Sequence, residues 1–356
     1  MRSEFEDRSE MNRLYRPNKR SRAMPILVVT GMLVIMLAAF TMGCSSSAED
    51  ADLQDLTFMA GFRAQANLPF VAAYAALDQG FFADEKLNVS IRHSSGQNEH
   101  LKLVLEDEVQ FTTGTAAQVL RQRADDIPLK AVALFGQRGD QGFVTRADSG
   151  IETPSDFAGR SVGFKAGVVP AELKALLKNA GVDIADIELR AVGFDPRVFI
   201  ENAVDVYPVF LDNEPDTIRR TGLEINIVDP HDFGVPTLGL TYLVTDEMLA
   251  ERRDVIERFL RATLRAVEWI KTHVDEAVAI TLTYAKDADP EHQRFLLTTD
   301  LENAERADGI GRGTLDQWSA LKDVLIEFEV FESDVDVASA FDGSLVDALY
   351  EGGEIN

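Results

Sequence analysis

The stretch Leu56–Ser95, LTFMAGFRAQANLPFVAAYAALDQGFFADEKLNVSIRHSS, decides the fold class. Leu56 to Phe62 is apolar and β-prone, the spacing turns helical from Pro69 to Phe82, and alternation returns over Asn88 to His93. A strand, a helix and a second strand joined by so long a crossover predict a parallel βαβ unit. Arg63 to Leu68 then falls at the carboxyl end of the first strand, where open parallel sheets gather ligands.

The same alternation of elements continues outward from this unit. Asn98 to Glu106 has helical spacing, and the strand Val109–Thr113 ends in the hydroxyl-rich turn Thr112-Thr113-Gly114-Thr115. Such a turn either caps the helix Ala116–Arg123 or offers its N–H groups to a ligand. The buried-strand run Leu129–Phe135 leads into Gly136-Gln137-Arg138-Gly139-Asp140-Gln141-Gly142. A strand-like Phe143–Thr145 follows these glycines where a dinucleotide fingerprint needs a helix, so a crossover between lobes fits better. Further strands are expected at Val162–Phe164, Glu188–Val192, Val204–Leu211 and Ile225–Val228, with helices at Pro170–Asn179 and Arg197–Ala203. Gly239–Thr245 should return the chain to the first lobe, ahead of the amphipathic helix Arg252–Thr272.

An apolar fraction of 46% predicts a folded core. Against 35 Lys and Arg stand 60 Asp and Glu, a formal charge of -25 dispersed along the chain. No basic face is available for phosphates, so nucleic-acid binding is excluded and a soluble, acidic monomer is expected. The histidines at 93, 100, 231, 273 and 292 fit no metal motif, and neither a nucleophile elbow nor a phosphate loop is present. No catalytic residue, metal or cofactor is expected.

The amino terminus differs. Lys19, Arg20 and Arg22 precede the uncharged apolar run Met24–Gly43, which reads as a signal peptide over residues 1–43 or as a retained anchor helix. Cys44, the one cysteine, stands directly after that run, and the polar, acidic segment to Asp55 suits a tether over residues 44–55.

Gly80-Phe81-Phe82, Asp84-Glu85 and Leu87-Asn88-Val89, with the lobe-opening Thr153-Pro154-Ser155-Asp156-Phe157-Ala158-Gly159-Arg160-Ser161-Val162-Gly163, resemble the NMT1/THI5-like and SsuA/TauA-like solute-binding proteins. Asn213-Glu214-Pro215 and Asp229–Gly234 resemble the vitamin-precursor branch of that group, and the surroundings of Cys44 resemble a bacterial lipoprotein signal, in which the cysteine thiol is lipidated. The resemblance implies an α/β, two-lobe periplasmic-binding-protein fold of type II-like form. Each lobe is then a mainly parallel sheet flanked by helices, with lobe one at 56–145, lobe two at 146–240, and a return to lobe one with extra helices at 241–356. It further implies a non-enzymic binding component of an ABC importer, held at the cell membrane by its lipid, facing outward and working with permease and ATPase subunits.

A ligand cleft between the lobes would draw on strand ends. Gln65, Asn67 and Phe70 come from the first turn, Ser95 from the second, Thr113 from the third, and Gln137 from the crossover. Lys165, Tyr207, Asn213 and Glu214 come from lobe two. Phe70 and Tyr207 would stack on a flat heterocycle while amides and carboxylates read its edge. The competing readings are a core position for Phe70 and helix capping for Asn213 and Glu214. The resemblance ranks riboflavin first and a thiamine-type pyrimidine close behind, with sulfonates, taurine or nitrate as the anionic alternative. A sensory lipoprotein of the same fold is a further reading. An enzyme of the pyrimidine-synthase type would need a cysteine-rich site, which a chain with one cysteine lacks.

Overall fold

The computed structural model describes residues 53–355. The expected signal peptide and the expected lipidation site, Cys44, lie outside the described residues. Among the described residues, no helix is long and apolar enough to cross a membrane.

Among the described residues, ten strands form two five-stranded sheets. In chain order they are β1 Gln54–Ala60, β2 Leu87–His93, β3 Phe111–Thr115, β4 Leu129–Leu134, β5 Gln141–Arg146, β6 Ser161–Phe164, β7 Glu188–Ala191, β8 Val206–Phe210, β9 Ile225–Val228 and β10 Leu240–Thr245. The first sheet runs β2-β1-β3-β10-β4 and the second β7-β6-β8-β5-β9. The pair β1 and β2 is parallel across the whole of Gln54–Ala60, as the opening stretch predicts, and β3 extends it in parallel. In lobe two, β6 is parallel to β7 and β8.

Each sheet is mixed because each accepts a strand that has just crossed over. β5 inserts antiparallel between β8 and β9, and β10 inserts antiparallel between β3 and β4. This corrects the expected lobe boundary. β5 belongs to lobe two, so the chain changes lobes at residues 136–140 and not at 146; an apolar run after a glycine loop does not reveal which sheet will take it. The two crossovers press together where Gly239 N donates to Gly136 O at 2.9 Å, and a Cβ on Gly136 would stand 2.6 Å from Gly239 Cα. Only a hydrogen side chain fits that crossing.

The first helix, Leu68–Asp78, is buried on nearly every face, because the sheet lies on one side of it and C-terminal helices on the other. The helix Arg253–Thr272 supplies much of that cover. Its apolar face, from Val255 to Ile270, is buried, and Phe259 stacks on Phe111 with centroids 3.8 Å apart. The later helices Pro290–Ala304 and Leu315–Glu327 reach both lobes. The first contacts the opening helix and the helix Glu214–Arg219, and the second contacts Ala116–Ala124 and Ala171–Ala180.

Candidate functional site

The crevice between the lobes is built from the turn after β1. Asn67 occupies the N-cap position of the first helix, yet its side chain makes no cap bond. Its Nδ2 donates instead to Asp212 Oδ2 of lobe two at 2.9 Å and to Asp300 Oδ2 at 3.3 Å. Asp300 takes over the capping, accepting from Leu68 N at 2.8 Å, which places a carboxylate where the helix dipole favours one. Gln293 Oε1 accepts from Ala66 N at 2.8 Å and fixes the turn from the same helix, Pro290–Ala304. Further along, Asn303 accepts from Arg138 N and donates to Arg138 O, which binds that helix to the crossover.

The crevice lining includes Asn67, Phe135, Asp140, Asp212, Asp300 and Asn303, and among its residues are three aspartates and no lysine or arginine. Burial pushes the Asp140 carboxyl up to about 6, and the charges of Glu172 and Glu214 add to the rise. Burial likewise lifts Asp300 to about 7, against the hydrogen bonds from Leu68 and Asn67 and with help from the charge of Asp140. Asp212 stands well above the usual carboxylate range, chiefly through burial and then through Asp300 and Asp140. Three acids with no cation among them oppose one another's ionisation, since neighbouring charges cannot all form at low cost. A protonated carboxyl presents one donor beside one acceptor, and an ionised one presents two acceptors.

A second cluster lies at the carboxyl ends of β6, β7 and β8. Lys165 pairs with Glu214, whose other oxygen accepts from Phe210 N at 2.7 Å. The Lys165 ammonium also lies 5.0 to 5.3 Å from the ring centroids of Phe194, Tyr207 and Phe210. The Tyr207 hydroxyl donates to Gly193 O at 3.0 Å, and the residue is fully buried. Its ring faces the Lys165 ammonium, which occupies the place a ligand would take against it.

A third cluster clasps the lobes together. His292 Nδ1 lies 2.7 Å from Asp216 Oδ2 and its Nε2 3.1 Å from Asn213 Oδ1, while Arg220 joins Asp216 to Asp289. Asn213 thus faces a histidine at the start of the helix Pro290–Ala304.

The sequence-selected residues divide accordingly. Asn67 lines the crevice, with Gln65 donating to its Oδ1. Lys165, Tyr207 and Glu214 share the aromatic cluster. Phe70 is buried in the lobe-one core, 2% exposed, and stacks on no crevice surface. Thr113 is also buried and accepts from Gly61 N, so its hydroxyl braces two strands. Ser95 is exposed past the end of the edge strand β2 and bonded to Glu99. Gln137 turns toward the C-terminal helices, donating to Arg312 O and accepting from Arg306. Sequence reading did not single out Asp140, Asp212, Asp300 or Gln293 as site residues. Gln293, Asp300 and Asn303 recur at spacings of seven and three on one helix, a polar stripe that bonds to the turn after β1 and to the crossover.

Two α/β lobes joined by paired crossovers around a polar crevice define a two-lobe solute-binding protein. The NMT1/THI5-like family model matches residues 67–277, more than half of the chain, and the chain belongs to that family. It is 25% identical over 324 residues to the formylaminopyrimidine-binding protein of Halalkalibacterium halodurans, covering 88% of this chain and 97% of that one. It is 26% identical over 294 residues to the riboflavin-binding protein RibY of Chloroflexus aurantiacus, covering 79% and 83%. A weaker similarity, 22% over 229 residues, covering 59% and 66%, is to the 4-amino-5-hydroxymethyl-2-methylpyrimidine phosphate synthase of Candida albicans. Among solved structures, the periplasmic aliphatic sulphonate binding protein SsuA of Escherichia coli superposes with a TM-score of 0.63 at 13% identity, over 80% of this chain and 91% of that one. That likeness concerns the fold.

Proposed function

We propose that this protein captures a flat, nitrogen-rich heterocycle in the interlobe crevice and delivers it to the permease of an ABC importer. The acid-lined crevice carries the reading. The amidine edge of an aminopyrimidine offers a donor beside an acceptor, the complement of a protonated carboxyl. If the ring takes the proton, the same pair becomes a charge-assisted one. Sulfonates, taurine or nitrate would bring acceptor oxygens against Asp140, Asp212 and Asp300, with no lysine or arginine in the lining to receive them. An aminopyrimidine therefore ranks first, and the similarity to a formylaminopyrimidine-binding protein over nearly the whole of both chains supports it.

Riboflavin is the second reading, supported by the similarity to RibY and by the donor and acceptor groups along one edge of its ring system. A synthase activity has the weaker similarity behind it and a sequence with one cysteine against it. On this proposal the signal peptide is cleaved before Cys44, whose thiol carries the lipid that holds the protein on the outer side of the cell membrane. A thermal-shift screen of the full chain in detergent against 4-amino-5-hydroxymethyl-2-methylpyrimidine, its formylaminomethyl analogue, riboflavin, taurine and an alkanesulfonate tests the ligand class. Aminopyrimidines should raise the melting temperature most; stabilisation by sulfonates alone sinks the proposal.

A further inference from the structure

Three adjacent parallel strands of lobe two end in one box. β8 contributes Tyr207 and Phe210, the segment after β7 contributes Phe194, and the helix following β8 begins with Glu214. Lys165, directly after β6, fills it, with its ammonium 5.3, 5.0 and 5.2 Å from the Phe194, Tyr207 and Phe210 centroids and paired with Glu214. These distances are inside the reach of cation–π attraction. A structural ion pair needs one counter-ion and no rings. Three rings and a carboxylate around one ammonium form a receptor for a cation, and here the cation belongs to the chain itself.

The box is also built so that its occupant can leave. Phe194 is 61% exposed, and Ala166, Gly167 and Val168 are exposed just beyond Lys165. Ala166 and Gly167 both have left-handed backbone, with φ of 55° and 71°, and turn the chain sharply outward. The turn is closed by a local bond from Val168 N to Lys165 O at 3.3 Å. Glu214 retains the Phe210 N–H if the ammonium departs.

We propose that the box of Phe194, Tyr207, Phe210 and Glu214 binds an ammonium or protonated amine carried by the ligand, and that Lys165 is a tethered competitor holding the box until that ligand arrives. This rests on reading the strand ends of lobe two as a wall of the ligand site. Charge balances throughout: the incoming cation neutralises Glu214 while the Lys165 ammonium moves into water. A neutral ring would not displace it, so the box selects for charge. The competitor lowers apparent affinity by the fraction of molecules in which the box is free.

The test compares two probes that differ in one charge, 4-amino-5-aminomethyl-2-methylpyrimidine and its neutral 5-hydroxymethyl counterpart. Each is titrated calorimetrically into the full chain in detergent. Lys165→Ala should bind the aminomethyl probe roughly tenfold more tightly than the unsubstituted protein and the hydroxymethyl probe about equally. Lys165→Arg, which refills the box with a permanent charge, should not gain. Weaker or unchanged binding of the aminomethyl probe by Lys165→Ala overturns the proposal, because an ordinary contact or structural pair behaves that way. If neither probe binds any form, the reading of the ligand wall falls and the proposal with it. Should Lys165→Ala fail to fold, acetylation of the unsubstituted chain by N-hydroxysuccinimidyl acetate decides, with a 5-trimethylammoniomethyl probe whose quaternary nitrogen the reagent cannot acylate. Lys165 should become more reactive when that probe is present, and equal or greater protection overturns the proposal.

Discussion

Replacing Asp300 by asparagine isolates the electrostatics of the crevice. Asparagine keeps an oxygen for the Leu68 N–H, 2.8 Å away, and removes a charge that burial and Asp140 oppose. The folded-state carboxyl stands at about 7 against an ordinary 3.8, so between those values the folded chain holds a proton that the unfolded chain has released. The contribution of this group to stability is therefore fully present below about pH 3.8 and is lost as the pH rises to 7. A rise of roughly three pH units bounds the loss at ~4 kcal/mol, and the linked titration of neighbouring acids brings the expected value to about 2 kcal/mol. Asp300→Asn should then melt at the same temperature as the parent near pH 4 and about 4 °C above it at pH 8. Fluorescence of Trp269 and Trp318 during heating, without ligand, reads both. A variant that melts below the parent at pH 8, or a gap of the same size at both pH values, refutes a crevice strained by its own carboxylates.

Other consequences follow from packing. Gly136→Ala would force a Cβ to 2.6 Å from Gly239 Cα and 2.9 Å from Leu240 N, backbone atoms that cannot swing aside, and should cost about 1–3 kcal/mol in denaturant unfolding. Phe259→Ala removes a ring that stacks on Phe111 and Phe82 and should cost about 3–5 kcal/mol by the same measurement, a loss large enough to separate core from surface helices. His292→Ala breaks the contacts to Asp216 and Asn213 of lobe two and should enlarge the radius of gyration of the ligand-free protein in X-ray scattering. Unchanged scattering would mean that the clasp does not hold the lobes.

Most of the architecture was legible in the sequence, and the site was legible in part. The parallel opening unit followed from periodicity alone, because a switch from period two to 3.6 and back leaves few alternatives. The glycine-rich run at 136–142 marks the crossover, but sequence reading puts the strand after it in the wrong lobe, since β5 is an ordinary apolar strand whose partners, β8 and β9, lie some sixty residues or more further on. Phe70 illustrates the commoner outcome for an aromatic at a helix start: the first helix is covered on both sides, so the ring goes into the core. The aspartates escaped notice for the opposite reason. Asp140, Asp212 and Asp300 are far apart in the chain, and each looks like one more acid in a protein with a formal charge of -25. Only the crossovers and the helix Pro290–Ala304 bring them to one crevice.

The central claim is that those aspartates read the edge of a nitrogen heterocycle. The most direct measurement is a calorimetric titration of 4-amino-5-hydroxymethyl-2-methylpyrimidine into the parent chain and into Asp212→Leu, both at pH 7. The parent should bind, and the variant, whose side chain can neither donate nor accept at the ring's edge, should bind at least about tenfold more weakly while staying folded. Equal affinity in the two proteins, or no binding by the parent, would contradict it.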